Sequence, residues 1–385
     1  MLALCAAAGQ AFETTTTVTR TDGRTETVRL QEARFESPTD YGFRGRVADQ
    51  AVQYKIDDIW RLDFGREPFP FQAPEQIWFT DGTRLSGTLA RDDGANDPDA
   101  ARTDLFRTLF VKRQALAGIS RLTPAPTQLP AALPGRDVLW TADGDRMVGR
   151  LVRIEPHAVS FRSELGSTVC PRSRLRALIL SPAEAPAAAP PEGRWVLTFV
   201  NGDRVFTPRW QIQEGGKLEC ALGDSRLLTE LRLLERAVYL GPRARIFSRL
   251  QPARFAMAPR LEGTQAIIVD RAPEDRALRV GAREYLFGLF LRPDCEMEYA
   301  LEEGARHWLA EIGLSSELAR DGSARVLFAV GDADWQPRAL NVKDKPEAIA
   351  LDLNGARRLR IKIESDSLWG VGAHVIVGEP VLIHQ

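Results

Sequence analysis

Arg358-Leu359-Arg360-Ile361-Lys362-Ile363-Glu364 alternates strictly between charged and aliphatic side chains, with Leu359, Ile361 and Ile363 on one face. A period of two marks a half-buried β-strand, because successive Cβ atoms point to opposite faces of a sheet. Two neighbouring runs also read as short strands: Ala324-Arg325-Val326-Leu327-Phe328-Ala329-Val330 and Ala348-Ile349-Ala350-Leu351-Asp352-Leu353. Turn formers separate them at Arg320-Asp321-Gly322-Ser323, Gly331-Asp332-Ala333-Asp334 and Asn354-Gly355. Many short strands at this spacing predict a β-sandwich for the C-terminal segment, residues 242–385.

Toward the N-terminus a turn dipeptide followed closely by arginine recurs at Asp22-Gly23-Arg24, Asp81-Gly82-Thr83-Arg84, Asp143-Gly144-Asp145-Arg146 and Asn201-Gly202-Asp203-Arg204. The spacings are 59, 62 and 58 residues. Asp-Gly and Asn-Gly between apolar runs predict hairpins, here with type I′ turns whose two central residues both take positive φ. The third copy shows a full unit. Its hairpin is followed by Ala158-Val159-Ser160-Phe161-Arg162-Ser163, a turn at Leu165-Gly166-Ser167, then Thr168-Val169-Cys170-Pro171 and a closing run, Leu175 to Leu180. The predicted units are 12–66, 74–123, 136–181 and 193–241, and each resembles an SH3-like or Sm-like small barrel. Proline-spotted segments separate them, as at Arg66–Phe71, Thr123–Gly135 and Ser181–Gly193, and such segments act as semi-rigid spacers. The expected fold class is all-β: tandem small β-barrel-like repeats followed by a sandwich.

Composition narrows the chemistry. A formal net charge of −1, from 51 Lys and Arg against 52 Asp and Glu, gives no electrostatic footprint for nucleic acid. Residues 1–11 are small and apolar and end in Gly9-Gln10-Ala11, which suits the back half of an export signal; secretion, or a periplasmic or cell-envelope location, is expected. No stretch reaches the ~18 apolar residues of a membrane-spanning helix. Beyond Cys5, the odd trio Cys170, Cys220 and Cys295 predicts buried free thiols and neither a disulfide framework nor a zinc site. The insertion Asp92–Asp99 lacks the spacing of a calcium loop. His157, His307, His374 and His384 form no metal motif, and no nucleophile elbow or phosphate loop occurs. No cofactor, metal or catalytic residue is expected.

From Leu278-Arg279-Val280-Gly281 through Gly288-Leu289, Arg306-His307-Trp308-Leu309 and Ile349 to Ile361, the succession resembles the NPCBM family, the novel putative carbohydrate-binding module. That resemblance implies a galactose-binding-like jelly roll that binds glycan at loops along one end. It also implies a core role for Trp308. Aromatic and polar residues of such loops are the candidate ligand groups: Trp369, His374, Trp335, Arg292 and Asp366. His374 has a second reading as a satisfied edge residue, and Trp335 as ordinary surface or core. The chain departs from the family's usual Gly-Asp-His-Ala-Asp-Trp run, reading Gly372-Ala373-His374-Val375-Ile376-Val377. Phe290-Leu291-Arg292 likewise replaces a usual glycine-histidine. The expectation is a non-catalytic envelope protein that binds glycan or polysaccharide, its repeats offering a docking array for envelope proteins. The rival is a structural or protein-interaction protein whose jelly roll has lost its sugar site.

Overall fold

The computed structural model describes residues 14–35, 42–69, 74–90, 99–111, 113–121, 129, 132–181, 193–257, 267–317, 322–365 and 372–385. The expected leader and all of the aspartate insertion except Asp99 lie outside them. Among the described residues the chain is all-β, and its helical pieces are three-residue 3-10 turns. It forms two compact bodies. One holds Glu26–Leu240 with the chain up to Val18; the other holds Gly241–Gln385 with Thr19–Thr25.

The first body repeats one succession of strands four times. In the third unit this is Asp137–Thr141, Arg146–Ile154, Ala158–Ser163, Gly166–Pro171, a 3-10 turn at Arg172–Arg174, and Leu175–Ile179. Each of the first four strands pairs antiparallel with its neighbour in sequence, and after the 3-10 turn the last strand pairs with the first, at Val138↔Ile179. The other units run from Thr14–Arg20 to Ile59–Asp63, from Glu75–Phe79 to Leu116–Arg121, and from Arg194–Phe199 to Leu234–Leu240. In the fourth, the second strand is split into Arg204–Thr207 and Trp210–Gln213 around Pro208, which has no N–H to give to a ladder.

The recurring turns sit where the dipeptides predict but are of another type. Only the glycine takes positive φ, +82° at Gly23, +94° at Gly82, +97° at Gly144 and +83° at Gly202. In the second unit the Gly82 N–H donates to Phe79 O and the Phe79 N–H to Thr83 O, and the other three repeat this pattern. These are three-residue loops, a type I turn closed by a glycine bulge, rather than type I′. In the first, second and fourth turns the acidic or amide residue stays at negative φ with its side chain capping the turn, and in the third Thr141 Oγ1 takes the corresponding Asp145 N–H. Asp81 Oδ1 accepts the Thr83 N–H at 2.9 Å, and Asn201 Oδ1 the Asp203 N–H at 3.1 Å.

Spatially the units follow the order first, fourth, second, third. The closing strands of the first and fourth pair at Val238↔Arg61, those of the second and third at Ile119↔Leu178, and the second meets the fourth at Arg204↔Arg84. One apolar cluster runs through all four, including Leu62, Leu85, Leu139 and Trp195. Units this small bury too little surface alone, and pairing their edges both enlarges the core and satisfies exposed backbone groups.

The second body is a sandwich of two antiparallel sheets. One orders Ile267–Val269, Gly288–Leu291, Val375–His384, Ala305–Leu314 and Glu347–Asp352, and Ala244–Ile246 also pairs with Val375–His384. The other orders Arg254–Met257, Cys295–Ala300, Arg358–Ser365, Ser323–Val330 and Gln336–Asn341. Leu359, Ile361 and Ile363 all point into the core between the sheets, as the alternation predicts. Trp308 is fully buried there against Phe247 and Phe328. The run that departs from the family pattern is also interior: Ala373, Ile376 and Val377 are all fully buried.

A hairpin, Leu278–Val280 with Arg283–Tyr285, covers the outer face of the first sheet and forms a second small core with Ala272, Phe290 and Ile376. Two glycines permit that approach. A Cβ on Gly378 would stand 2.4 Å from the Tyr285 ring, and one on Gly313 2.3 Å from Val280. Beneath the hairpin Tyr285 donates to Glu311 at 2.9 Å, and Arg283 donates to both Glu311 oxygens.

Candidate functional site

Strand ends at one margin of the sandwich gather a small polar group. Gly288–Leu291 runs out into Arg292, Ala305–Leu314 into Ser315, and Val375–His384 is entered from His374. The Ser315 N–H donates to the His374 carbonyl at 2.9 Å, tying two of these ends together. Gly322, just before Ser323–Val330, comes so close that a Cβ there would lie 2.4 Å from Gly372 O. The same margin therefore collects the chain around 292–294, 315–317, 322 and 372–374.

His374 shares its strand face with Ile376, so its ring lies on the outer side of the first sheet and not in the sandwich core. It stacks on Phe290 with ring centroids 5.3 Å apart and planes 24° from parallel. Burial lowers its pKa below the usual histidine value, and the positive charge of Arg292 lowers it further. The ring is thus held neutral, with one nitrogen able to donate and the other to accept. His374 Nδ1, Arg292 Nε and Ser315 Oγ are each buried with no hydrogen-bond partner among the described residues. Buried polar atoms are normally paired, so three orphans at one margin mark a place where a ligand's hydroxyls or water would complete the bonding.

Of the five predicted ligand residues, the structure brings Arg292 and His374 together. Trp335 stands apart. It follows the far end of Ser323–Val330, whose near end abuts Gly372, so the eight-residue strand separates the two by roughly 25 Å. Its ring carries the Arg360 guanidinium at 4.8 Å, and the turn beside it is fastened by Arg358 to Asp332. Asp366 and Trp369 lie outside the described residues. Two members of the margin were missed from sequence: Ser315, which follows an apolar strand without any motif, and Phe290, which reads only as a strand residue. Among the described residues no three His, Cys, Asp or Glu side chains converge as a metal ion would require. Cys170, Cys220 and Cys295 are buried free thiols, as their spacing predicts.

Comparison with known proteins bears on this body. No curated protein matches the chain at a significant level. Among solved structures, similarity is found to a CBM51 module from Clostridium perfringens GH95 in complex with methyl-galactose, at 15% identity and a TM-score of 0.32, covering 36% of this chain and 99% of that one. The CBM51-2 and INT domains of Clostridium perfringens ZmpB, in complex with GlcNAc, align at 11% identity and a TM-score of 0.33, over 49% of this chain and 43% of that one. Tandem CBM51 modules of the family 98 glycoside hydrolase from Streptococcus pneumoniae SP3-BS71 align at 10% identity and a TM-score of 0.30, over 96% and 88% of the two chains. The family model that matches is the NPCBM/NEW2 domain, over residues 250–376. Residues 250–376 of the second body thus match the NPCBM/NEW2 domain model.

Proposed function

We propose that this is a non-catalytic glycan-binding protein of the bacterial cell envelope or exterior, and that the sandwich margin bearing Arg292, Ser315 and His374 is its sugar site. The observation that carries the reading is the trio of buried polar atoms that have no partner among the described residues, within the segment matched by the NPCBM/NEW2 model. A neutral imidazole, a guanidinium and a hydroxyl supply the mixed donors and acceptors that sugar hydroxyls need, and Phe290 backs the imidazole. Asp366 and Trp369 belong to the segment between Ser365 and Gly372, and in this reading they complete the site with a carboxylate and a stacking face. Trp335 takes no part in it. The four five-stranded units act as SH3-like small barrels that space or dock the module, and the apolar N-terminus directs export.

A glycan array probed with the full chain, galactosides and GlcNAc-terminated glycans included, tests this directly. Binding that His374→Ala and Trp369→Ala each abolish supports the site. Silence across the array sinks it. One observation favours the rival reading, an interaction protein without sugar binding: positions 373, 376 and 377, polar or aromatic in the family's usual run, are interior apolar residues here.

A further inference from the structure

The second and fourth units meet through a junction with local two-fold character. Thr83, one residue past Gly82, accepts the Phe206 N–H through Oγ1 at 2.9 Å. Asp203, one residue past Gly202, accepts the Ser86 N–H through Oδ1 at 2.7 Å. Ser86 and Phe206 each stand four residues past their glycines. Each hairpin edge therefore offers one side-chain acceptor and one backbone donor, and the two edges exchange them. Arg84 and Arg204, two past their glycines, stand directly opposite one another. Arg84 lies over the Trp78 ring of its own unit at 5.7 Å. Phe106, from the turn between the second unit's third and fourth strands, packs edge-on against Phe199 of the fourth at 5.3 Å.

The third unit carries corresponding parts with no partner strand on them among the described residues, although Arg176 also lies over Trp140, at 3.9 Å. Asp145 follows Gly144, Arg146 comes next, and Val148 stands four residues past the glycine. Arg146 lies over Trp140 at 4.4 Å, as Arg84 lies over Trp78. The ladder with Asp137–Thr141 covers one side of Arg146, Met147 and Val148, while pairing with the following strand begins only at Gly149↔Ser163. The outer edge from Arg146 to Val148 has no partner strand among the described residues. Leu165, in the turn that corresponds to that of Phe106, is 99% exposed. Open strand edges and exposed large apolar side chains are features that folded proteins ordinarily cover.

We propose that this edge, Asp145 to Val148 with Leu165 beside it, is the contact through which two copies of the chain form a two-fold dimer. The occupant follows from the junction already present between the second and fourth units, which the new contact continues. A single third-unit edge holds both the acceptor, Asp145, and the donor, the Val148 N–H, so it is complementary to itself. A two-fold axis sets the Asp145 carboxylate of each copy against the Val148 N–H of the other, and isologous contacts of this kind close at the dimer. The self-opposed Arg146 side chains repeat the opposition of Arg84 and Arg204, with each guanidinium turned back onto its own indole. Leu165 of each copy is brought against the other copy near Thr141, the third-unit counterpart of the Phe199 that Phe106 packs on.

Sedimentation velocity on the full chain gives the first readout, and a species of twice the 42.8 kDa chain is expected. Leu165→Asp, and separately Val148→Pro, which deletes only an outward N–H of an edge strand, are each expected to convert it to the monomer with an unchanged far-UV spectrum. Arg146→Cys gives a readout that does not depend on those variants folding. The residue would oppose itself across the axis, so mild oxidation should yield a covalent dimer, strand neighbours being close to the ~5.5 Å Cα separation of a disulfide. A wild-type chain that is monomeric at its highest soluble concentration overturns the proposal. So does a dimer that survives both substitutions, or an Arg146→Cys chain that does not cross-link.

Discussion

The two bodies bury different chemistry. Between the two sheets of the sandwich lie almost only hydrocarbon and aromatic side chains, with Trp308, Phe328, Leu359 and Val377 at the centre. The first body has an apolar core too, but it adds buried polar side chains wherever units meet. Asp203 takes both the N–H and the hydroxyl of Ser86 from the neighbouring unit, and Arg172 of the third unit donates to Leu89 O and pairs with Glu75 of the second. The difference follows from size. Two broad sheets enclose one interior and hide their backbone in their own ladders. Four small units must be joined at strand ends, where N–H and C=O groups are left over and need side-chain partners. Apolar packing stabilises the sandwich; satisfied polar contacts make the junctions specific.

The sharpest way to break this contrast is to compare how each region fails. Trp308→Ala removes a fully buried indole from the sandwich and should cost about 3–5 kcal/mol in denaturant unfolding, with the same loss on either side of neutrality. Asp203→Ala strands the Ser86 N–H and hydroxyl and should cost about 1–3 kcal/mol. The junction, unlike the sandwich core, should also respond to pH. Burial pushes the Asp203 carboxyl up to about 7, outweighing the hydrogen bonds from Ser86 and Asn201. The folded chain thus keeps a proton that the unfolded chain releases in the ordinary aspartate range. This contribution to stability is complete at pH below that range and is lost as pH rises to about 7. Melting temperatures across that window should fall more steeply for wild type than for Asp203→Asn. Equal slopes would refute the assignment.

His374 gives a smaller effect of opposite sign. Its pKa is lowered in the fold, so its contribution is present above the usual histidine value and fades as pH falls below it. His374→Ala should flatten that acid-side loss and remove glycan binding while changing stability at neutral pH by less than about 1 kcal/mol. Trp335→Ala should do least. It loses one half-buried cation–π contact, about 0.5–1 kcal/mol, and leaves glycan binding unchanged because the residue sits at the opposite end of the sandwich. Reduced binding in that variant would move the site.

Legibility divided along the same line. The strand Arg358–Ser365 and the buried face it presents could be read directly, because alternation is a local consequence of the pleat. The glycines of the four turns were legible for the same reason, although the turn type was not. Whether Asp81 or Asn201 adopts positive φ is decided by competition with side-chain capping, which the dipeptide alone does not reveal. His374 and Arg292 could be nominated from sequence but not placed. Their proximity follows from the long-range pairing of Leu291 with Val375, which no local pattern reveals. Trp335 looked equivalent to His374 in a list of loop residues, and only the length of Ser323–Val330 sets them apart.

The sequence by itself determined that this chain is all-β, where its strands break, and that an NPCBM-like pattern occupies its last third. Each of these rests on neighbours within a few residues, through φ preference and the two-residue period. Tertiary structure alone decided that the units follow the order first, fourth, second, third. It also decided that the edge from Arg146 to Val148 has no partner strand among the described residues, and that Arg292, Ser315 and His374 gather at one margin of the sandwich. Those outcomes depend on which strand edges meet across a hundred residues or more, and edge pairing is set by backbone hydrogen bonds that every residue type except proline can make.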